Sequence, residues 1–208
     1  MSNKKIIIDN LYFEYPEGDL IFKDFNFETK SSLVVLKGRS GCGKTTLLKL
    51  IMGLLKPQEG KIEFYPENKS LQKYYITQDI ALFPWLTGVE NILLNRKLNY
   101  EEIKKHPLFI LVEDYIEKKC YQMSFGQRRK VELLRAFLSR PDILFLDEPL
   151  NFIDKHGRDE LTNFIKDFSQ KNLVVITSHY HEEIKRFDGE VYQFDDNFPI
   201  TELKSVKV

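Results

Sequence analysis

The residues best equipped for chemistry begin at Gly38. After four residues come Gly43, Lys44 and Thr45; Arg39, Ser40, Gly41 and Cys42 fill the interval, and Thr46 follows. Glycines at this spacing let backbone N–H groups turn inward around a phosphate, and a helix starting at Lys44 adds a partial positive charge. The Lys44 ammonium can then reach the outer phosphates and the Thr45 hydroxyl can sit on a bound Mg2+. The competing reading is a glycine turn that happens to precede a helix. Against it stand the apolar run Leu33 to Leu36 before the turn, which reads as a buried strand, and Leu47, Leu48, Ile51, Leu54 and Leu55 after it, which give the following helix one apolar face.

Asp147 and Glu148 follow directly on a fully apolar strand, Ile143 to Leu146. Two carboxylates at the end of a buried strand cost free energy unless they hold a metal or do chemistry. Beside a phosphate loop, Asp147 suits the Mg2+ shell and Glu148 suits positioning the attacking water. Gln78 ends the strand candidate Tyr74 to Thr77, and the strand candidate Leu173 to Thr177 ends in Ser178 and His179. Each is a weak signal alone, but in a sheet whose ligand lies beyond the carboxyl ends of its strands both would face that ligand. Ser124 reads as an N-cap with Gln127 three residues on, and Val131, Leu134 and Leu138 repeat on one face until Pro141. With Gly126, this helix start is either a second anion site or simply a well-capped helix.

Around these groups the chain supplies a hairpin, Lys5 to Phe13 and Ile21 to Glu28, with Tyr12, Phe13 and Tyr15 near its turn. A short strand is expected at Lys61 to Tyr65 and a helix at Gly157 to Gln170. Between Val89 and Cys120 a charged helical pattern carries an apolar stripe of Leu108, Leu111, Val112, Tyr115 and Ile116 and reads as an inserted lobe. The basic run Arg128 to Lys130 reads as a solvated helix face. Phe83, Trp85 and Leu86, in a loop with Pro84 and Gly88, belong either to a packed loop or to a contact surface for another protein.

The 208 residues fit one domain with an inserted lobe, and 31 Lys+Arg balance 31 Asp+Glu, which argues against non-specific nucleic-acid binding. The two cysteines, Cys42 and Cys120, give no reason for pairing, so a reduced setting is expected, with Cys42 a small loop residue whose backbone matters. The start MSNKKIII is neither a signal peptide nor a membrane span, and any membrane would be met through a partner.

Taken in order, these motifs resemble the ATP-binding cassette family, specifically the nucleotide-binding subunits of membrane transporters, over nearly the whole chain. The resemblance implies an α/β fold: a P-loop NTPase core with a mostly parallel sheet, an N-terminal antiparallel β subdomain and an inserted α-helical subdomain. Residues 1–78 and 141–208 would form the core and 79–140 the helical part with the signature Met123 to Gln127. It implies ATP and Mg2+ as ligands, Thr45, Gln78 and Asp147 as metal contacts, Glu148 as the base and His179 as the γ-phosphate switch. Tyr15 would stack on adenine, and Asp154 matches the aspartate of the loop after the Asp-Glu strand. A head-to-tail homodimer, or a pair with a closely related ATPase subunit, would place each ATP between one phosphate loop and Ser124, Gly126 and Gln127 of the other copy. Transmembrane permease subunits would insert a coupling helix at the loop Leu82 to Ile92, an extracytoplasmic solute-binding protein would be a further partner, and no nucleic acid is implied. The location implied is peripheral, on the cytoplasmic side of the cell membrane, with no added regulatory domain after His179.

Two departures from the family pattern are Phe125, where the signature usually has Gly, and Asn151-Phe152-Ile153-Asp154, where Ser-Ala-Leu-Asp is common. The segment ALFPWLTGVENI looks like that of importers for nitrate, sulfonate and taurine. Other readings are a soluble ABC-type ATPase acting outside transport, on DNA or ribosomes, which predicts basic arms or tandem cassettes, and a small P-loop kinase, which would lack the signature and His179.

Overall fold

A computed structural model of the chain describes residues 4–67, 70–94, 98–195 and 197–207. Met1 to Asn3, on which part of the N-terminal reading rests, lie outside the described residues. Strands β1 (Lys5–Glu14), β2 (Leu20–Glu28) and β4 (Glu59–Tyr65) form an antiparallel sheet in the order β2-β1-β4. A second sheet runs β5 (Lys73–Ile76), β6 (Ile143–Asp147), β7 (Leu173–Ser178), β3 (Leu33–Lys37), β8 (Glu190–Gln193), β9 (Lys204–Val206); only β9 is antiparallel to its neighbour. The expected α/β architecture, a mostly parallel sheet beside a smaller antiparallel one, is borne out.

Continuous apolar runs form β3, β6 and β7 because both faces of this sheet are covered. Alternate residues feed two cores. Val34, Leu36, Phe145 and Val175 pack with helix α1 (Lys44–Ile51) and with Ile6, Ile8 and Leu11 of β1. Val35, Leu144, Leu146, Val174 and Ile176 pack with α4 (Phe125–Leu138) and α5 (Lys155–Ser169). The same core includes Leu108, Leu111, Val112, Tyr115 and Ile116, the expected apolar stripe, beside the short helices α2 (Gly88–Leu93) and α3 (Tyr100–Lys105). The last helix, α6 (His181–Phe187), follows β7.

Two expectations need correction. Helix α1 stops at Ile51: Gly53 takes a left-handed φ of 75°, and Leu54, expected on its apolar face, is 62 % exposed. The run Arg128 to Lys130 is not a solvated face. Arg129 is wholly buried because the segment after β5 folds across its side of α4, and Arg128 and Lys130 are half-buried, Lys130 against Asp154 of the loop after β6.

Candidate functional site

The register of the parallel sheet brings the polar strand ends to one edge. Lys37 pairs with Ser178, Asp147 with Thr177, and Ile76 with Leu146, so the glycine loop, Gln78, Glu148 and His179 all follow strands that finish together. The loop between β3 and α1 needs its glycines for different reasons. Gly41 and Gly43 have φ of 83° and 98°, a region open to glycine at little cost. A Cβ on Gly38 would lie 2.5 Å from Cys42 Sγ and 2.9 Å from Phe194 Cβ, whereas one on Gly41 would meet nothing within 4 Å. The Gly38 side is therefore the packed floor and the Gly41 side is open to a ligand. Cys42 does more than lend its backbone: its side chain is buried and fills that floor. Cys42 and Cys120 are not joined in a disulfide.

Lys44 is 5 % exposed and donates through Nζ to the carbonyls of Gly38, 2.8 Å, and Arg39, 2.7 Å, so its charge is held inside the loop it would serve. Tyr15 shares a hydrogen bond of 3.2 Å with Thr46 Oγ1 and sets its ring edge-on to Phe13, leaving it partly exposed beside the loop.

Asp147 is buried and accepts three hydrogen bonds. Thr45 Oγ1 donates to Oδ2 at 2.7 Å, Tyr75 Oη donates to the same oxygen at 3.2 Å, and Thr177 Oγ1 donates to Oδ1. Burial first, then the Asp147 charge, pushes the Tyr75 phenol well above its ordinary value, which keeps it a donor. The carboxylate and hydroxyl of Asp147 and Thr45 are hard oxygen donors at the start of a helix, which fits Mg2+. Glu148 stands beyond the strand with φ of 50°, its N–H donating to Thr177 Oγ1 at 3.0 Å. Its Oε1 lies 3.0 Å from His179 Nδ1 and its Oε2 accepts from Asn151 Nδ2 at 2.7 Å. The carboxylate is thus aimed by two side chains, an arrangement suited to a general base.

Ser124, Gly126 and Gln127 do not join this group. Ser124 caps α4 and forms the expected reciprocal box with Gln127, at 2.9 and 3.2 Å. With Lys130, Phe152 and Asp154 these residues line a cavity of about 440 Å3, while Gly38, Arg39, Ser40 and His179 line a different one of about 340 Å3. Asp154 caps α5 through the Gly157 N–H and takes Lys130 Nζ at 2.6 Å; that lysine, then the N–H, holds its carboxyl below the usual range. Gly126 is needed for packing: a Cβ there would lie 2.3 Å from the Phe152 carbonyl oxygen. Phe125 packs on Phe152, ring centroids 4.6 Å apart. Gln78 is exposed two residues past β5, and its carbonyl accepts from Arg129.

The loop after Gln78 is packed from within, and it also keeps large aromatic side chains on the surface. Buried Asn91 closes it, accepting from the Phe83 N–H at 2.8 Å and donating to the Phe83 and Thr87 carbonyls. Phe83 and Trp85 remain 45 % and 63 % exposed, with Tyr121, 66 % exposed, anchored to the Pro84 carbonyl beside them. Among the described residues no helix is long and apolar enough to cross a membrane.

Residues 22–151 match the ABC transporter family. The chain belongs to that family. Similar proteins include an ergothioneine transport ATP-binding protein, EgtV, of Helicobacter pylori, 31 % identical over 87 % of this chain and 92 % of that protein. An uncharacterized ABC transporter ATP-binding protein, YtlC, of Bacillus subtilis is 33 % identical over 87 % of this chain and 75 % of its own length. A taurine import ATP-binding protein, TauB, of Pelagibacter ubique is 28 % identical over 84 % and 72 %. The resemblance to nucleotide-binding subunits of ABC transporters is borne out, including its likeness to a taurine importer.

Tyr75, Thr177, Asn151 and Arg129 escaped the sequence reading. Only Thr177 carried an available signal, a hydroxyl within an otherwise apolar run of a buried strand.

Proposed function

We propose that the chain is the ATP-hydrolysing subunit of an ABC membrane transporter, working at the cytoplasmic face of the membrane. Two copies, or one copy and a closely related subunit, would meet head to tail with ATP and Mg2+ between them. One observation carries this reading. The phosphate loop, Thr45, Asp147, Glu148 and His179 converge on one sheet edge, whereas Ser124, Gly126 and Gln127 line a separate cavity of the same chain. That second helix start has an anion site's composition and serves no phosphate loop of its own chain, which suits one offered by another copy.

Bound Mg2+ would neutralise phosphate charge and orient it, held by Thr45, Asp147 and Gln78. The loop N–H groups and Lys44 hold the phosphates, Tyr15 offers its ring to the adenine, Glu148 accepts a proton from the attacking water, and His179 orients Glu148 while reading the γ-phosphate. Asp154, tied to Lys130, links the loop after β6 to the signature helix. The core of 1–78 and 141–208 then carries the nucleotide and 79–140 the coupling face. Exposed Phe83 and Trp85 would receive a permease helix, with an extracytoplasmic solute-binding protein as a further partner. Relatives named for ergothioneine, carnitine, taurine and spermidine/putrescine support a small solute, moved inward.

Glu148→Gln keeps the shape of the side chain and removes the base. Phosphate release from ATP should fall by about 10²- to 10⁴-fold while nucleotide binding persists; turnover equal to the parent chain would remove Glu148 from the reaction.

A further inference from the structure

Three charged side chains of α4 at i, i+3 and i+6 face the segment that carries Gln78. Arg129 Nη1 donates to the Thr77 carbonyl at 2.8 Å and Nη2 to the Gln78 carbonyl. The same Nη1 meets Glu132 Oε2 at 2.8 Å, and Glu132 Oε1 accepts the Ala81 N–H at 2.8 Å. Arg135 Nη2 closes the set on the Ala81 carbonyl at 2.7 Å. The Arg129 and Glu132 side chains are 1 % and 2 % exposed. Phe125, at the start of α4, lies over the Arg129 guanidinium, 6.0 Å from ring centre to Cζ.

A buried ion pair is a poor source of stability, since a well-packed apolar pair of the same volume often does as well or better. What this pair supplies, and an apolar pair could not, is a planar fork of donors fixing two successive carbonyls together with an acceptor fixing an N–H three residues on. These backbone groups set where the Gln78 side chain starts. We propose that Arg129, locked by Glu132, is a positioning residue that aims Gln78 at the nucleotide site and ties it to the helix bearing Ser124 and Gly126. This rests on the reading of Gln78 as a contact to the bound metal.

The test separates aim from stability. Arg129→Met leaves the buried Glu132 carboxylate only the Ala81 N–H and the more distant Arg135 guanidinium, 3.9 Å away, and should lower the melting temperature by about 10 °C. Arg129→Met with Glu132→Met removes both charges and should return it to within about 3 °C of the parent. If the pair only supports the fold, ATP turnover returns too. If it aims Gln78, kcat for ATP stays about 10- to 100-fold low with KM changed less than about threefold. Arg129→Lys provides a second reading that keeps the charge beside Glu132 and loses the fork: kcat should drop about tenfold, and in a Gln78→Ala background the same change should have no further effect. Parent-like kcat in the stable double variant, or in Arg129→Lys, overturns the inference, as does full additivity with Gln78→Ala. An inactive parent chain, or an unimpaired Glu148→Gln, would instead count against the proposed function itself.

Discussion

Tyr75→Phe removes one oxygen atom from the edge of the candidate metal site. Its hydroxyl is one of three donors to Asp147, and of the other two, Thr45 is the group that a bound Mg2+ would itself engage. Tyr75 and Thr177, both on strands, are then the donors left to hold the carboxylate in place. A hydrogen bond to a charged group contributes a net of roughly 1.5–3 kcal/mol. The Tyr75 contact, at 3.2 Å, is long for a hydroxyl on a carboxylate, so the lower end applies. About 1.5 kcal/mol corresponds to roughly a tenfold loss of Mg2+ affinity. The fold should barely respond, because the ring stays and Asp147 keeps two donors. Calorimetric titration of a non-hydrolysable ATP analogue, with and without Mg2+, isolates the effect. Affinity without the metal should stay within about twofold of the parent, and the gain on adding Mg2+ should shrink about tenfold. An undiminished Mg2+-dependent gain would refute the reasoning, since it would mean that Asp147 needs no help from β5.

Gly126→Ala places a Cβ 2.3 Å from the Phe152 carbonyl oxygen, a backbone atom that cannot swing away; ATP turnover should drop at least about tenfold while analogue binding at the chain's own phosphate loop changes less than about threefold, and parent-like turnover would show that the 151–154 loop yields without consequence. His106 should make stability depend on pH. Burial, then the nearby Arg140 charge, lowers its pKa to about 4, and its neutral Nδ1 caps the 3-10 turn at Pro107–Leu111 by accepting the Leu108 N–H at 3.2 Å. The unfolded chain takes up this proton near its ordinary pKa of about 6.5, so the contribution is complete above that value and is lost as pH falls towards about 4. His106→Asn keeps an acceptor without titrating, and the difference in urea midpoint between pH 7 and pH 5 should shrink; an unchanged difference would assign the pH dependence elsewhere.

The parts of the fold legible in the sequence were those fixed over short range. The strands β3, β6 and β7, the glycine loop and the box of Ser124 with Gln127 depend on neighbours within a few residues, and their positions follow directly from the pattern. Arg129 shows where such reading ends. Among charged neighbours on a helix it looks solvated, and only the fold reveals that carbonyls 52 and 51 residues away in sequence enclose it. Thr177 was hidden in the opposite way, inside a strand apolar enough to be read as core, and Tyr75 lay in a short strand read only for the glutamine at its end, although both hydroxyls point at Asp147. Helix α1 was extended too far because leucines continue past Gly53, where the backbone turns.

Glu148 and Phe152, both non-glycine residues, hold left-handed backbone angles of 50° and 64° within five residues of each other. Each such angle costs of order 1 kcal/mol for a side chain of this kind. A laboratory search for heat-resistant descendants would therefore find easy gains here, by exchange to glycine or asparagine. Those gains would come at the carboxylate proposed as the base and beside the carbonyl that packs on Gly126 of α4, so the hardiest clones from an unguided screen should include ones that no longer turn over. A selection that rewards catalysis as well as endurance would have to leave this loop alone and look for its improvements in the antiparallel sheet.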